Sequence, residues 1–153
     1  MKIFLAGGDR TAFSVVPHAL GYPYRLCSYY YLRNEPHTVE LVQKVSQDGS
    51  EHIMDSGLFS FMFGSSQGEL TTYDDYKRYA EKYLEDTGRW GWKHAIVECD
   101  VQRVLGVDEC NKLRDDVIRP SGREVIYVWH IPEGVDGLRE LARREKRIAL
   151  SVP

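Results

Sequence analysis

His52-Ile53-Met54-Asp55-Ser56-Gly57, then Thr72–Glu85 (TYDDYKRYAEKYLE), then His94-Ala95-Ile96-Val97-Glu98-Cys99-Asp100 is the stretch on which the fold turns. The first piece is a short apolar run stopped by Ser-Gly, and the third is another that ends in an acid. Neither alternates cleanly between apolar and polar residues, which is how strands buried on both faces read. The middle piece has the period of a helix: Tyr73, Tyr76, Tyr79 or Ala80, and Tyr83 or Leu84 share one face. Thr72 is its expected N-cap, and Asp74 and Asp75 suit the positive end of the helix dipole. Strand, helix, strand in this order implies a right-handed crossover and a parallel pair.

The same grammar extends both ways. Lys2–Ala6, Arg25–Leu32, Glu124–His130 and Arg147–Val152 read as further strands, the first stopped by Gly7-Gly8. Helices are expected over Thr38–Ser46, with Val39, Val42 and Val45 at spacing three, and over Asp108–Ile118, with Cys110, Leu113 and Val117 on one side. A last helix over Asp136–Lys146 is expected to bury Leu138, Leu141 and Ala142. The fold class is therefore α/β, a parallel sheet of six strands with helices between them, with residues 1–153 as a single domain.

The composition sets outer limits. The 153 residues carry 20 basic and 23 acidic side chains, a formal net charge of −3, which argues against a strongly basic nucleic-acid coat while leaving a local patch open. Hydrophobic residues at 42% and charged residues at 28% are globular proportions. No apolar run approaches the roughly 20 residues of a membrane span, and the opening run is too brief for a signal peptide, so no membrane partner is expected. Cys27, Cys99 and Cys110 have no CxxC or Cys/His spacing, so neither a disulfide framework nor a metal site is read. A reducing cytoplasm fits that usage best.

In parallel α/β sheets chemistry gathers at the carboxyl ends of the strands. Those ends are expected to be Gly7-Gly8-Asp9, Tyr29-Tyr30-Tyr31, Asp55-Ser56-Gly57, Glu98-Cys99-Asp100 and Trp129-His130. Asp55 can hold a carboxylate against the N–H edge of a base and exchange a proton with it. Phe59 can offer a ring face to a flat heterocycle. Alternatively, Asp55 closes an Asx turn and Phe59 returns to the core. Asp100 can accept two N–H bonds from a guanine-like edge, or it caps the following helix or pairs with Arg103. Glu98 points to the opposite face by strand alternation and is read as structural. His130 can meet a ligand or shuttle a proton, or it is a strand-end histidine satisfied by backbone. The Tyr22–Tyr31 cluster and the stripe on the Thr72 helix read as packing, and Arg139, Arg143, Arg144, Lys146 and Arg147 as a solvated helix end. Gly7-Gly8 is followed by neither GxGxxG nor GK[ST], so no Rossmann or P-loop site is read.

At these residues a resemblance emerges. Ile53-Met54-Asp55-Ser56-Gly57-Leu58-Phe59-Ser60 resembles the DSGGF segment of the tRNA-guanine transglycosylase (queuine tRNA-ribosyltransferase) superfamily, and more closely the DSGAFS form of phage and bacterial relatives that handle 7-deazaguanines. Leu26–Leu32 (LCSYYYL) is similar to the second-strand LxNTYHL segment, Asp100 stands where the family has an Asp after its fourth strand, and Val128-Trp129-His130 occupies the fifth-strand end. The resemblance implies a TIM-barrel scaffold and a glycosyltransferase exchanging guanine in tRNA or DNA for a 7-deazaguanine, as in queuosine formation. It makes Asp55 the proton-handling catalytic acid, Phe59 the stacking ring and Asp100 the reader of the base edge. Ser56, Gly57 and His130 complete the substrate-binding set, with Gly57 keeping the loop close.

The chain also departs from that pattern. Leu58 replaces a Gly and narrows the space over the base, and Ser60 replaces a Gln. A full (β/α)₈ barrel takes about 250 residues, and the family's nucleophilic Asp and zinc ligands follow its sixth strand. The expectation is thus an incomplete barrel of six of eight strands, without cofactor or metal in this chain, inactive in glycosyl transfer alone. A second chain completing the barrel is an expected partner, alongside the base and the nucleic acid, and the compartment is the cytoplasm, the host's if phage-encoded. Two other readings stay open. One is a nucleoside 2-deoxyribosyltransferase-like enzyme, suggested by MKIFLAG but lacking the expected GxxxE context. The other is a non-catalytic base-binding or assembly module.

Overall fold

The computed structural model describes residues 2–6, 21–47, 49–64 and 66–151. Gly7, Gly8 and Asp9, and the side chain of Val45, lie outside what it describes. The strands are β1 (Leu5–Ala6), β2 (Tyr24–Ser28), β3 (Glu51–Asp55), β4 (Ala95–Val97), β5 (Val125–Trp129) and β6 (Ile148–Leu150). They pair in sequence order and all in parallel, curling into a half-barrel with helices between the strands. Among the described residues no helix is long and apolar enough to cross a membrane.

Among the described residues the helices are α1 (Tyr29–Leu32), α2 (Thr38–Gln47), α3 (Phe59–Met62), α4 (Tyr73–Arg89), α5 (Gln102–Leu105), α6 (Val107–Leu113) and α7 (Gly134–Arg144). Beyond α6 the chain widens into a π turn over Arg114–Ile118 and then tightens over Arg119–Ser121. The expected N-cap of α4 is present. Thr72 Oγ1 accepts from the Asp75 amide, and Asp75 accepts from the Thr72 amide, a capping box that holds the Asp75 carboxyl down to about 2. In α7 only Leu141 is buried, while Leu138 is half-covered and Ala142 exposed, so the buried stripe is narrower than its spacing suggests.

Register decides which side chains face the helices. Cys27, Met54 and Ile96 lie side by side across β2, β3 and β4 and pack with Tyr76, Tyr79, Tyr83 and Trp90 in the main core. Their strand neighbours, Asp55 and Val97, face the concave side by alternation.

One strand end is corrected. The aromatic run was expected to continue β2 to Leu32, but the strand stops at Ser28 and Tyr29–Leu32 coils into α1. Tyr29 turns into the core, where its hydroxyl donates to Asp86 Oδ2 at 2.8 Å and its ring packs on Tyr79, Tyr83 and Trp90. Three consecutive tyrosines on a strand could not place one hydroxyl there and still leave Tyr31 exposed, and a helical turn can.

Candidate functional site

The loops after β3 and β4 enclose a cavity of about 430 Å³ on the concave side, within the ~300–1,000 Å³ typical of small-molecule sites. Asp55, Ser56, Leu58, Phe59, Met62 and Phe63 come from β3 and α3. Val97, Glu98, Asp100 and Arg103 come from β4 and α5, with Val128 and Ser151 closing the far wall. Asp55, Asp100 and Phe59, up to 45 residues apart in the chain, thus meet around one hollow.

Each is held locally. Asp55 Oδ2 accepts the Gly57 amide at 3.0 Å, the Asx turn anticipated as one alternative, and this turn directs the carboxylate along the cavity wall. Gly57 itself stands outside the lining, with φ +73°. A Cβ there would overlap Tyr30 Cβ and sit 2.7 Å from Ser28 Oγ, so this glycine brings the loop against β2 and α1 rather than against a ligand. Ser56 is buried and lines the wall, as does Leu58. Phe59 does not return to the core. It is 66% exposed at the cavity mouth, its ring 5.3 Å from that of Phe63, and the Arg103 guanidinium lies 6.0 Å from the Phe63 ring.

Asp100 closes an Asx turn just ahead of α5, with Oδ1 taking the Gln102 amide at 3.1 Å. The same oxygen lies 2.9 Å from His130 Nε2, an ion-pair contact rather than an aligned hydrogen bond. Among the described residues nothing donates to Oδ2. His130 is buried and off the lining. Its Nδ1 meets Glu133 Oε2 at 3.0 Å, and the same oxygen accepts the His130 amide at 2.7 Å. Burial alone would lower the His130 pKa, but the Asp100 and Glu133 carboxylates outweigh it and raise it above the ordinary 6.5.

Behind this lies a buried ion pair. Arg114 grips both oxygens of Glu98 at 2.8 Å, and Glu98 Oε1 also accepts the Val128 amide at 2.6 Å. Burial raises the Glu98 carboxyl pKa, and Arg114 and Val128 oppose that rise; the two-toothed grip is that of guanidinium on carboxylate. Glu98 is 1% exposed and borders the cavity with its carboxylate committed to Arg114 and Val128, a structural role.

The residues least visible in the sequence are the supports. Tyr83 donates to Met54 O at 2.8 Å and Tyr79 to Ser56 O at 2.6 Å, so two hydroxyls of α4 clamp the carbonyls on either side of Asp55. The stripe read as packing is also a brace. Glu133 carries a faint signal, an acid three residues after a strand-end His, whereas Arg114 carries none. The basic stretch is tied into surface pairs, Arg139 with Asp136, Arg144 with Glu140 and Arg147 with Glu124. Tyr30 bonds Ser66 and, like Tyr29, stays out of the cavity. No protein-family model matches the chain, and no match to a curated protein or a solved structure is found.

Proposed function

We propose that the cavity recognises a guanine-type base, guanine or a 7-deazaguanine, and that the protein serves base exchange on tRNA or DNA. The observation that carries this reading is the meeting of two carboxylates and an exposed aryl ring around one hollow at the carboxyl ends of β3 and β4. In this reading the Asp100 Oδ2 oxygen accepts from the ring N–H and exocyclic amine of the base, a pairing suited to an acceptor-only side chain. Phe59 covers the ring face, with Phe63 and Met62 beside it. Asp55, fixed by its Asx turn, is the group that exchanges a proton with the base as its bond to the sugar is made or broken. The sequence resemblance supports the same assignment.

The test is calorimetric titration with 7-deazaguanine. Asp100→Asn, which turns one acceptor oxygen into a donor, is expected to weaken binding at least about tenfold, the size of a lost hydrogen bond to a charged group. Unchanged affinity would sink the assignment. Incubation of the chain with tRNA or duplex DNA and labelled guanine then asks for exchange. Binding without exchange would make this chain the base-recognition part alone.

A further inference from the structure

We infer that His130 is a positioning residue. Clamped between Asp100 and Glu133, it sets where the Asp100 carboxylate stands, and so makes base recognition depend on its own proton. This deepens the reading above and rests on it. His130 is 3% exposed and lines a neighbouring cleft rather than the base cavity, so its route to a base in that cavity is through Asp100.

The argument is one of donors. An imidazolium has an N–H at each nitrogen and can satisfy two carboxylates at once. Here the two nitrogens face Asp100 Oδ1 at 2.9 Å and Glu133 Oε2 at 3.0 Å. A neutral ring keeps one N–H. If it stays on Nδ1, where Glu133 is better aligned, the Nε2 lone pair confronts Asp100 Oδ1 and that carboxylate must move. Oδ2, the oxygen left for the ligand, moves with it.

The surroundings favour the charged ring on balance. Among the described residues, Asp100 from the loop after β4 and Glu133 from the turn after β5 are the two acids in contact. Glu98 at the end of β4 is a third, largely neutralised by Arg114. Arg114 from the π turn also reaches Glu133 Oε1 at 3.8 Å and so tempers that acid. Arg103 from α5 shares a neighbouring cleft with His130 and is a further cation on this side. The raised pKa agrees with this sum.

Two measurements on the full chain test the inference. The first follows the His130 ring by NMR through a pH titration. In the wild type it is expected to titrate above 6.5, and in Asp100→Asn and in Glu133→Gln at lower pH. A wild-type titration at or below 6.5, or one unmoved by both variants, overturns it. The second measures 7-deazaguanine affinity against pH. Wild-type affinity is expected to fall by up to about tenfold per pH unit above the His130 titration. In His130→Gln, which keeps a donor of similar reach, binding is expected to be weaker below neutrality and the pH profile flat. Identical profiles in wild type and variant overturn the inference. If 7-deazaguanine binds at no pH, the base-recognition reading fails, and the NMR titration still decides whether His130 and Asp100 are coupled.

Discussion

Asp55 and Asp100 end neighbouring strands and face one cavity, yet they are held in different ways. The end of β3 is braced by two tyrosine hydroxyls on the carbonyls flanking Asp55, and by an Asx turn in which the Gly57 amide donates to the Asp55 carboxylate. The end of β4 hangs on charge, a chain running from Asp100 through His130, Glu133 and Arg114 to Glu98. Hydroxyl-to-carbonyl bonds do not titrate between pH 5 and 9, and a histidine between two acids does. The tyrosine supports of one strand end are therefore indifferent to pH over that range, and the supports of the other respond to it.

The largest effect is expected from breaking the charged side at its root. Arg114→Met leaves Glu98 buried with the Val128 amide as its remaining donor, and removing one partner of a buried pair costs about 3–5 kcal/mol. Urea unfolding should show a fall in unfolding free energy of that size. Adding Glu98→Met should recover much of it, because the uncompensated charge is then gone. A double variant as unstable as the single one would mean that Arg114 acts by packing instead. On the neutral side the corresponding lesion is Gly57→Ala. The positive φ and the overlap with Tyr30 together should cost about 3 kcal/mol, read in the same unfolding experiment.

These two lesions differ in how readable they were. The parallel α/β order, six strands and the α4 helix with its Thr72 cap were legible because hydrophobic period and capping chemistry are local. Asp55, Phe59 and Asp100 were legible as candidates because strand ends fall where apolar runs stop. The α1 turn was not, since three tyrosines favour a strand until Asp86, 57 residues on, offers Tyr29 a partner. Arg114 and the tyrosine clamps were hidden for the same reason. Their roles are fixed by partners across the sheet, and no spacing within one segment announces them. Gly57 showed the converse: the residue was picked out, but its constraint lies toward Tyr30 and not toward the cavity.

Smaller effects sharpen the contrast. Tyr83→Phe removes a buried donor from Met54 O, with a second acceptor, Val97 O, at 3.2 Å. The expected loss is about 1–2 kcal/mol, and it should be the same at pH 6 and pH 8.5. The charged side should not be so constant. Because the His130 pKa is raised on folding, its contribution is fully present below about 6.5 and is lost as pH rises through the folded value. The resulting slope in unfolding free energy is at most about 1.4 kcal/mol per pH unit. His130→Gln should remove that slope, and Tyr83→Phe should leave it intact. A slope surviving in His130→Gln would assign it to another group.

The smallest stability change is expected where the two walls open to solvent. Phe59 is 66% exposed, so Phe59→Ala should alter unfolding free energy by less than about 0.5 kcal/mol. An exposed ring that contributes so little to folding carries some risk of sticking to other molecules. Stacking on a base, the role proposed for it, is worth about 1–3 kcal/mol by alanine substitution. Phe59→Ala should therefore weaken 7-deazaguanine binding by about fivefold or more while the melting curve stays put. The loss should be equal at pH 6 and pH 8.5, because Phe59 belongs to the wall without titrating supports. A pH-dependent loss would instead tie α3 to the charged side, and the division between the two strand ends would no longer hold.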